Sequence, residues 1–113
     1  MSNKGLKKAN EFKRVFSQGN RKYGKYIIVY TLPGEQEYSR VGFIVKKSIG
    51  KAVQRNKIKR RLREIWRLKG RELITGSDIV ILAKKEITEA SFAEIEEELV
   101  RLLEGNKPGK AKQ

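Results

Sequence analysis

The sequence predicts an α/β fold, a two-layer sandwich with its elements in the order helix, strands, helix, strand, helix. Three observations point there. The runs "KYIIVYTL", "SRVGFIVK" and "DIVILAK" are rich in β-branched and aromatic residues, the composition of strands. The stretches that follow the second and third runs space their apolar residues three and four apart, the period of a helix with one buried face. The two patterns alternate along 113 residues, a length that suits one domain and not two.

Taken in order, residues 1–9 are polar and basic and read as a mobile N-terminal arm. A short helix follows from about Asn10 to Gln18, with Phe12, Val15 and Phe16 on one face and Gly19 closing it. Lys25 to Leu32 is the first strand, its alternation placing Tyr26, Ile28 and Tyr30 on one side and Ile27 and Val29 on the other. "PGEQEY" is a turn or loop, and Ser39 to Lys46 is a second strand, antiparallel to the first if that short connection makes a hairpin. A long helix runs from about Val53 to Lys69 and ends near Gly70. After the turn "TGSD", Asp78 to Lys84 is continuously apolar, as expected of a central strand. Ser91 and Glu94 have capping-box spacing ahead of a last helix, Phe92 to about Leu103, with Ile95, Leu99 and Leu102 on its apolar side. From about residue 105 the chain reads as a disordered tail. Neither an internal repeat nor a separating linker is evident, so residues 1–113 form a single domain.

Charge narrows the function. The net charge is +14, the pI about 10.2, and 38% of the residues are hydrophobic. Residues 1–71 carry a balance of +17 and residues 72–113 a balance of −3. Such a charge opposes compaction and suits a polyanionic partner, nucleic acid before an anionic membrane. With no cysteine, disulfides and thiolate metal sites are excluded; with no histidine, the commonest general acid or base is missing. No apolar run approaches the roughly 20 residues of a membrane span, and no signal peptide is evident, so a cytoplasmic protein is expected.

The charge concentrates in "AVQRNKIKRRLRE", residues 52–64, which holds six Lys or Arg and one acid, Glu64. On a helix, Ile58, Leu62 and Ile65 share a buried stripe while Asn56, Arg60, Arg63 and Arg67 lie opposite. Arg55 and Lys59 flank one edge, Lys57 and Arg61 the other. A merely solvated face mixes charges of both signs, because like charges four apart each cost about 0.2–0.5 kcal/mol. This face carries several such pairs, and a phosphate backbone would relieve them. Asn56 is either a neutral reader of RNA groups or a partner of its local backbone. Phe12 with Phe16, and Tyr30 on its strand, are either core or a stacking platform for unpaired bases. Lys46, Lys47 and Lys51 bracket a glycine turn leading into the basic helix and favour the platform.

From "LKKANEFKRVFSQG" through "YSRVGFIVKKSIGKAVQRNKIKRRLRE" to "DIVILAKK", the chain resembles the bacterial ribonuclease P protein component. Arg55-Asn56-Lys57, followed by Lys59, Arg60 and Arg63, matches the signature helix of that family, with Lys57 in place of an arginine. Arg40-Val41-Gly42 and Gly50 also stand where the family has them, whereas Ser48 replaces a frequent basic residue. The resemblance implies a sandwich related to a ribosomal-protein domain, with a left-handed βαβ crossover. It implies removal of the 5′ leader from precursor tRNA, with the catalytic Mg2+ held mainly by an RNA subunit and no catalytic residue in the protein. It further implies that Arg55, Asn56, Lys57, Lys59, Arg60 and Arg63 face the catalytic RNA; Arg67 joins them by spacing. Phe12, Phe16, Tyr30, Lys47, Lys51, Lys84 and Lys85 fall where the family lines its leader cleft. The alternatives are a ribosomal or other structural RNA-binding protein, a nuclease using Glu64 or Asp78, and a helix-turn-helix DNA binder.

Overall fold

Strand β4 (Ser77–Ala83) lies inside a four-stranded sheet because both of its faces are apolar: Ile79, Ile81 and Ala83 serve one cluster, Val80 and Leu82 another. The computed structural model describes residues 5–6, 8–34 and 36–104. The strand order is β1 (Asn20–Tyr23), β2 (Ile27–Pro33), β4, β3 (Arg40–Ile44). β1 and β2 form an antiparallel hairpin, and β2 pairs antiparallel with β4, Val29 opposite Ile81. β3 pairs with β4 in parallel, Gly42 opposite Val80.

The strands at 25–32 and 39–46 do run in opposite directions, but the hairpin that would have paired them does not form. β4 inserts between them, since the most apolar strand buries most when flanked on both edges. The link between β3 and β4 is instead a crossover through a helix, as parallel neighbours require. β1 went unseen because "NRKY" has no apolar alternation and is mostly exposed. β2 begins at Ile27, so Tyr26 escapes the alternation and packs with the main core, on the side away from Ile28 and Tyr30.

Helix α1 (Ala9–Gln18) ends at Gly19, which is extended and donates its N–H to the Val15 carbonyl at 2.9 Å. The basic helix α2 (Ala52–Ile65) keeps its regular α-helical form only to Ile65, although the helical path runs on past the expected Lys69. It passes through a π turn, Trp66–Gly70, into a short α3 (Arg71–Leu73), burying Trp66 and leaving Leu68 44% exposed. Helix α4 (Phe92–Glu104) starts with the expected capping box: Ser91 N–H to Glu94 Oε1 at 2.8 Å and Glu94 N–H to Ser91 Oγ at 3.1 Å.

The main core lies between one face of the sheet and the pair α2 and α4, joining Ile27, Val29, Ile79 and Ile81 to Ile58, Leu62, Ile65, Ile95 and Leu99. The other face carries a smaller cluster under α1: Leu6, Val15, Tyr30 and Val80. The sandwich is thus two layers, with the short α1 laid over part of its second face. Leu6 is 6% exposed, its N–H reaches Val41 O at 3.1 Å, and Gly5 bridges β3 at Val41. A mobile arm does not hold at these two residues, because Leu6 is the one large apolar side chain between Met1 and Phe12 and it docks. The remaining arm residues up to Lys7, apart from these two, and the tail from 105 lie outside the described residues.

The β1–β2 turn is held by a buried acid. Glu98 of α4, 4% exposed, accepts the backbone N–H groups of Lys25, Tyr26 and Ile27 at 2.9, 2.7 and 2.9 Å. Gly24 is needed beside it, since a Cβ there would come within 2.2 Å of Glu98 Oε2.

Candidate nucleic-acid interface

On α2, Ile58, Leu62 and Ile65 are buried as the spacing predicts. Asn56, Lys57, Arg60 and Arg63 are exposed, with Arg55, Lys59 and Arg61 half-buried at the edges. The Asn56 amide makes no hydrogen bond to any described residue, which disfavours the local-backbone role and leaves a neutral donor and acceptor among cations. The Arg63 guanidinium sits over the Phe43 ring, 6.0 Å from its centroid. Arg67 is less available than its neighbours. It forks onto Glu64, Nε to Oε1 at 3.2 Å and Nη2 to Oε2 at 2.6 Å, and this pairing holds the Glu64 carboxyl below the usual carboxylate range.

The opposite face of the sheet has a different chemistry. Phe16 of α1 meets Tyr30 edge-on, ring centroids 4.7 Å apart at 90°. Tyr30 is core, 9% exposed, while Phe16 is 37% exposed and offers ring surface to a ligand. Phe12 lies on Gly42, where a Cβ would stand 2.4 Å from the ring. One register step away from α1's cover, Ile28, Leu82 and Ile44 line up across β2, β4 and β3, all half-buried. This row is an apolar floor beside the rings.

Parallel pairing of β3 and β4 brings their C-terminal ends together. Lys46 and Lys47 leave one strand and Lys84 and Lys85 the other, and the turns Lys47–Ile49 and Lys85–Glu89 pack against each other. Lys47, Lys51 and Lys85 are exposed. Lys84 is partly committed, its Nζ donating to Gly24 O at 3.0 Å.

Neither acid raised as a nuclease candidate is free. Glu64 is paired with Arg67, and Asp78 is buried under Arg40, Gln36 and Arg14. Among the described residues no cluster of three or more acidic side chains is placed to hold a metal ion. No helix among them is long and apolar enough to cross a membrane.

The family model for ribonuclease P matches residues 1–106. The chain belongs to the ribonuclease P protein family. Relatives include the ribonuclease P protein component of Caldanaerobacter subterraneus subsp. tengcongensis, 42% identical over 98 residues that span 87% of this chain and 84% of that protein. The component from Clostridioides difficile is 39% identical over 101 residues, 88% of this chain and 89% of its own. Among solved structures, the ribonuclease P protein of Thermotoga maritima superposes with a TM-score of 0.80 at 33% identity, covering 88% of this chain and 94% of that one. The Staphylococcus aureus protein gives 0.84 at 30%, covering 94% and 97%. As a ribonuclease P protein, the chain is a subunit of a ribonucleoprotein endoribonuclease and its partner is that enzyme's RNA. A purely structural RNA-binding role is thereby set aside.

The ribonuclease P fold collects the expected residues into two groups. Arg55 to Arg63 share the outer side of α2, with Arg67 tied to Glu64 at the end. Phe12, Phe16 and Tyr30 meet on the α1 side, with Lys47, Lys84 and Lys85 at one end of the sheet and Lys51 at the N-terminus of α2. Ile28, Ile44 and Leu82 were missed as surface. The alternation of their strands was readable, but only the sheet order shows that they adjoin and that α1 is too short to cover them.

Proposed function

We propose that the outer side of α2 binds the catalytic RNA of ribonuclease P and that the α1 side of the sheet binds the 5′ leader of precursor tRNA. The observation that carries this reading is the separation of two unlike surfaces by one sheet. One is cationic and contains the unengaged amide of Asn56. The other pairs an exposed ring and an apolar row with lysines at its end. The first suits phosphates of a folded RNA; the second suits unpaired bases, whose rings need a flat apolar surface while nearby lysines neutralise the backbone.

In this reading the protein removes no proton and holds no catalytic metal ion. Mg2+ is held mainly by the RNA subunit and supplies the chemistry there. Lys47, Lys51 and Lys85 offset leader charge near the cleavage site, so less Mg2+ suffices for substrate to bind. The protein works in the cytoplasm, where precursor tRNA is made.

The test is reconstitution with the catalytic RNA from the same source, scored by cleavage of a precursor tRNA at limiting Mg2+. Cleavage is expected only with RNA present, and faster with protein than without. Cleavage at the mature 5′ end by the protein alone, or no stimulation of the RNA, contradicts the reading.

A further inference from the structure

Strand β3 is the last strand on its side of the sheet, bridged at Val41 by Gly5, and a groove of about 790 Å³ lined in part by Gly5 and Leu6 runs beside it. That volume falls within the range of pockets that hold small organic ligands. The groove shares Phe12, Lys59, Arg63 and Arg67 with the surfaces above but reaches neither Phe16 nor Tyr30. Val41, Phe43 and Trp66 supply its apolar lining, and Lys59, Arg63 and Arg71 its cationic lining. Glu37 is the one acid in the lining. Arg63 stands over the Phe43 ring, so charge and ring already adjoin. Arg71 is exposed and forms no ion pair with a described residue.

An apolar ligand would have no use for the cations, and a small inorganic anion none for the apolar side chains. The combination suits a flat heteroaromatic ring carrying a phosphate.

We propose that this groove takes an unpaired nucleotide of the RNA partner, its base against Phe43 beside Trp66 and its phosphate on Arg71. The proposal rests on α2 being the RNA-facing helix, and it adds a base contact to the phosphate contacts made there.

Trp66 is the chain's only tryptophan and reports on the groove directly. The full-length protein is titrated with a single-stranded hexauridylate RNA, following Trp66 emission, with a labelled hexamer followed by anisotropy in parallel. A saturable change in Trp66 emission is expected, absent when inorganic pyrophosphate replaces the RNA. Arg71→Ala should raise the apparent Kd for that change about tenfold, the size of a lost charge-assisted contact. Phe43→Leu keeps apolar bulk, removes the ring and should weaken it several-fold, whereas Glu97→Gln, exposed on α4 and outside both surfaces and the groove, should leave it as in the wild type. Circular dichroism checks that each variant is folded. An unchanged Trp66 signal while anisotropy reports binding overturns the proposal. So does an equal response to pyrophosphate, or wild-type affinity in both groove variants. Binding of the catalytic RNA, measured separately with Arg60→Ala, tests the reading of α2. If that binding depends on Arg60 while the groove gives no signal, the groove proposal falls and the proposed function stands.

Discussion

Arg40 of β3 forks onto Asp78 of β4, Nε to Oδ1 and Nη2 to Oδ2 at 2.9 Å each, and Asp78 is 1% exposed. The third guanidinium nitrogen reaches Glu11 of α1 at 3.2 Å, so one side chain ties the helix bearing Phe12 and Phe16 to the sheet. Removing one partner of a buried pair leaves the other charge uncompensated, at about 3–5 kcal/mol. Arg40→Ala is expected to lose stability of that order in urea denaturation. Arg40→Lys should lose less, keeping the charge without the fork. A loss below about 1 kcal/mol for Arg40→Ala would show that Gln36 and Arg14 suffice for Asp78.

The same fork sets a pH dependence. Hydrogen bonding to Arg40, with its charge and that of Arg14, holds the Asp78 carboxyl below the usual carboxylate range despite burial. A group whose native pKa is depressed stabilises the fold fully above its unfolded value, about 3.9 for Asp, and the contribution fades as pH falls toward the native value. The stability gap between the wild type and Asp78→Asn should therefore be widest near neutral pH and narrow below about pH 3.9. Urea melts of both proteins across pH 2 to 7 measure it, and a gap independent of pH contradicts the assignment.

Glu98 offers another test of the fold, because its carboxylate satisfies three backbone N–H groups of the β1–β2 turn. Glu98→Gln turns an amide NH2 toward donors and should cost about 1–3 kcal/mol, the penalty of unsatisfied buried groups. Amide exchange at Lys25, Tyr26 and Ile27 should speed up in the variant more than exchange in β4. Uniform acceleration across the sheet would mean that the turn is not where Glu98 acts.

Much of this was legible in sequence, and the failures share a cause. α1, the interior place of β4, the Ser91–Glu94 cap and the buried stripe of α2 all follow from local patterns that need no distant partner. The Val53–Lys69 periodicity could not reveal the π turn at Trp66–Gly70, because one extra residue in a turn leaves composition unchanged. The place of β3 depended on which strand β4 would choose as neighbour, a long-range outcome that a short "PGEQEY" connection disguises as a hairpin. The basic helix was readable because repulsion along one helix is local. Which of Phe12, Phe16 and Tyr30 presents its ring was not, since all three are aromatic at core-like spacing and only packing distinguishes the exposed Phe16 from the core Tyr30. Likewise Arg67 looked available until Glu64 was seen to hold it.

Replacing Arg60 and Arg63 together by Ala should weaken binding of the catalytic RNA and flatten its salt dependence. Each lost phosphate contact removes up to about one unit from the slope of log K against log salt. Affinities measured from 50 to 300 mM salt provide the slope, and an unchanged slope would remove these residues from the phosphate-contacting set. The fold should be intact, since both side chains are exposed.

The central claim is that two surfaces on opposite sides of the sheet bind two different RNAs, and Phe16→Ala in the reconstituted holoenzyme tests it most directly. The measurement is Kd for a leader-bearing precursor tRNA and for the corresponding mature tRNA, in wild type and variant. Tyr30→Ala is unsuitable, because truncating a core ring costs about 3–5 kcal/mol of stability and would lower every activity together. Phe16→Ala is expected to weaken the precursor by about 1–3 kcal/mol if its exposed ring stacks one base, and to leave mature tRNA unchanged. An equal loss for both RNAs in a folded variant, or no loss for either, would contradict the assignment of the α1 side to the leader.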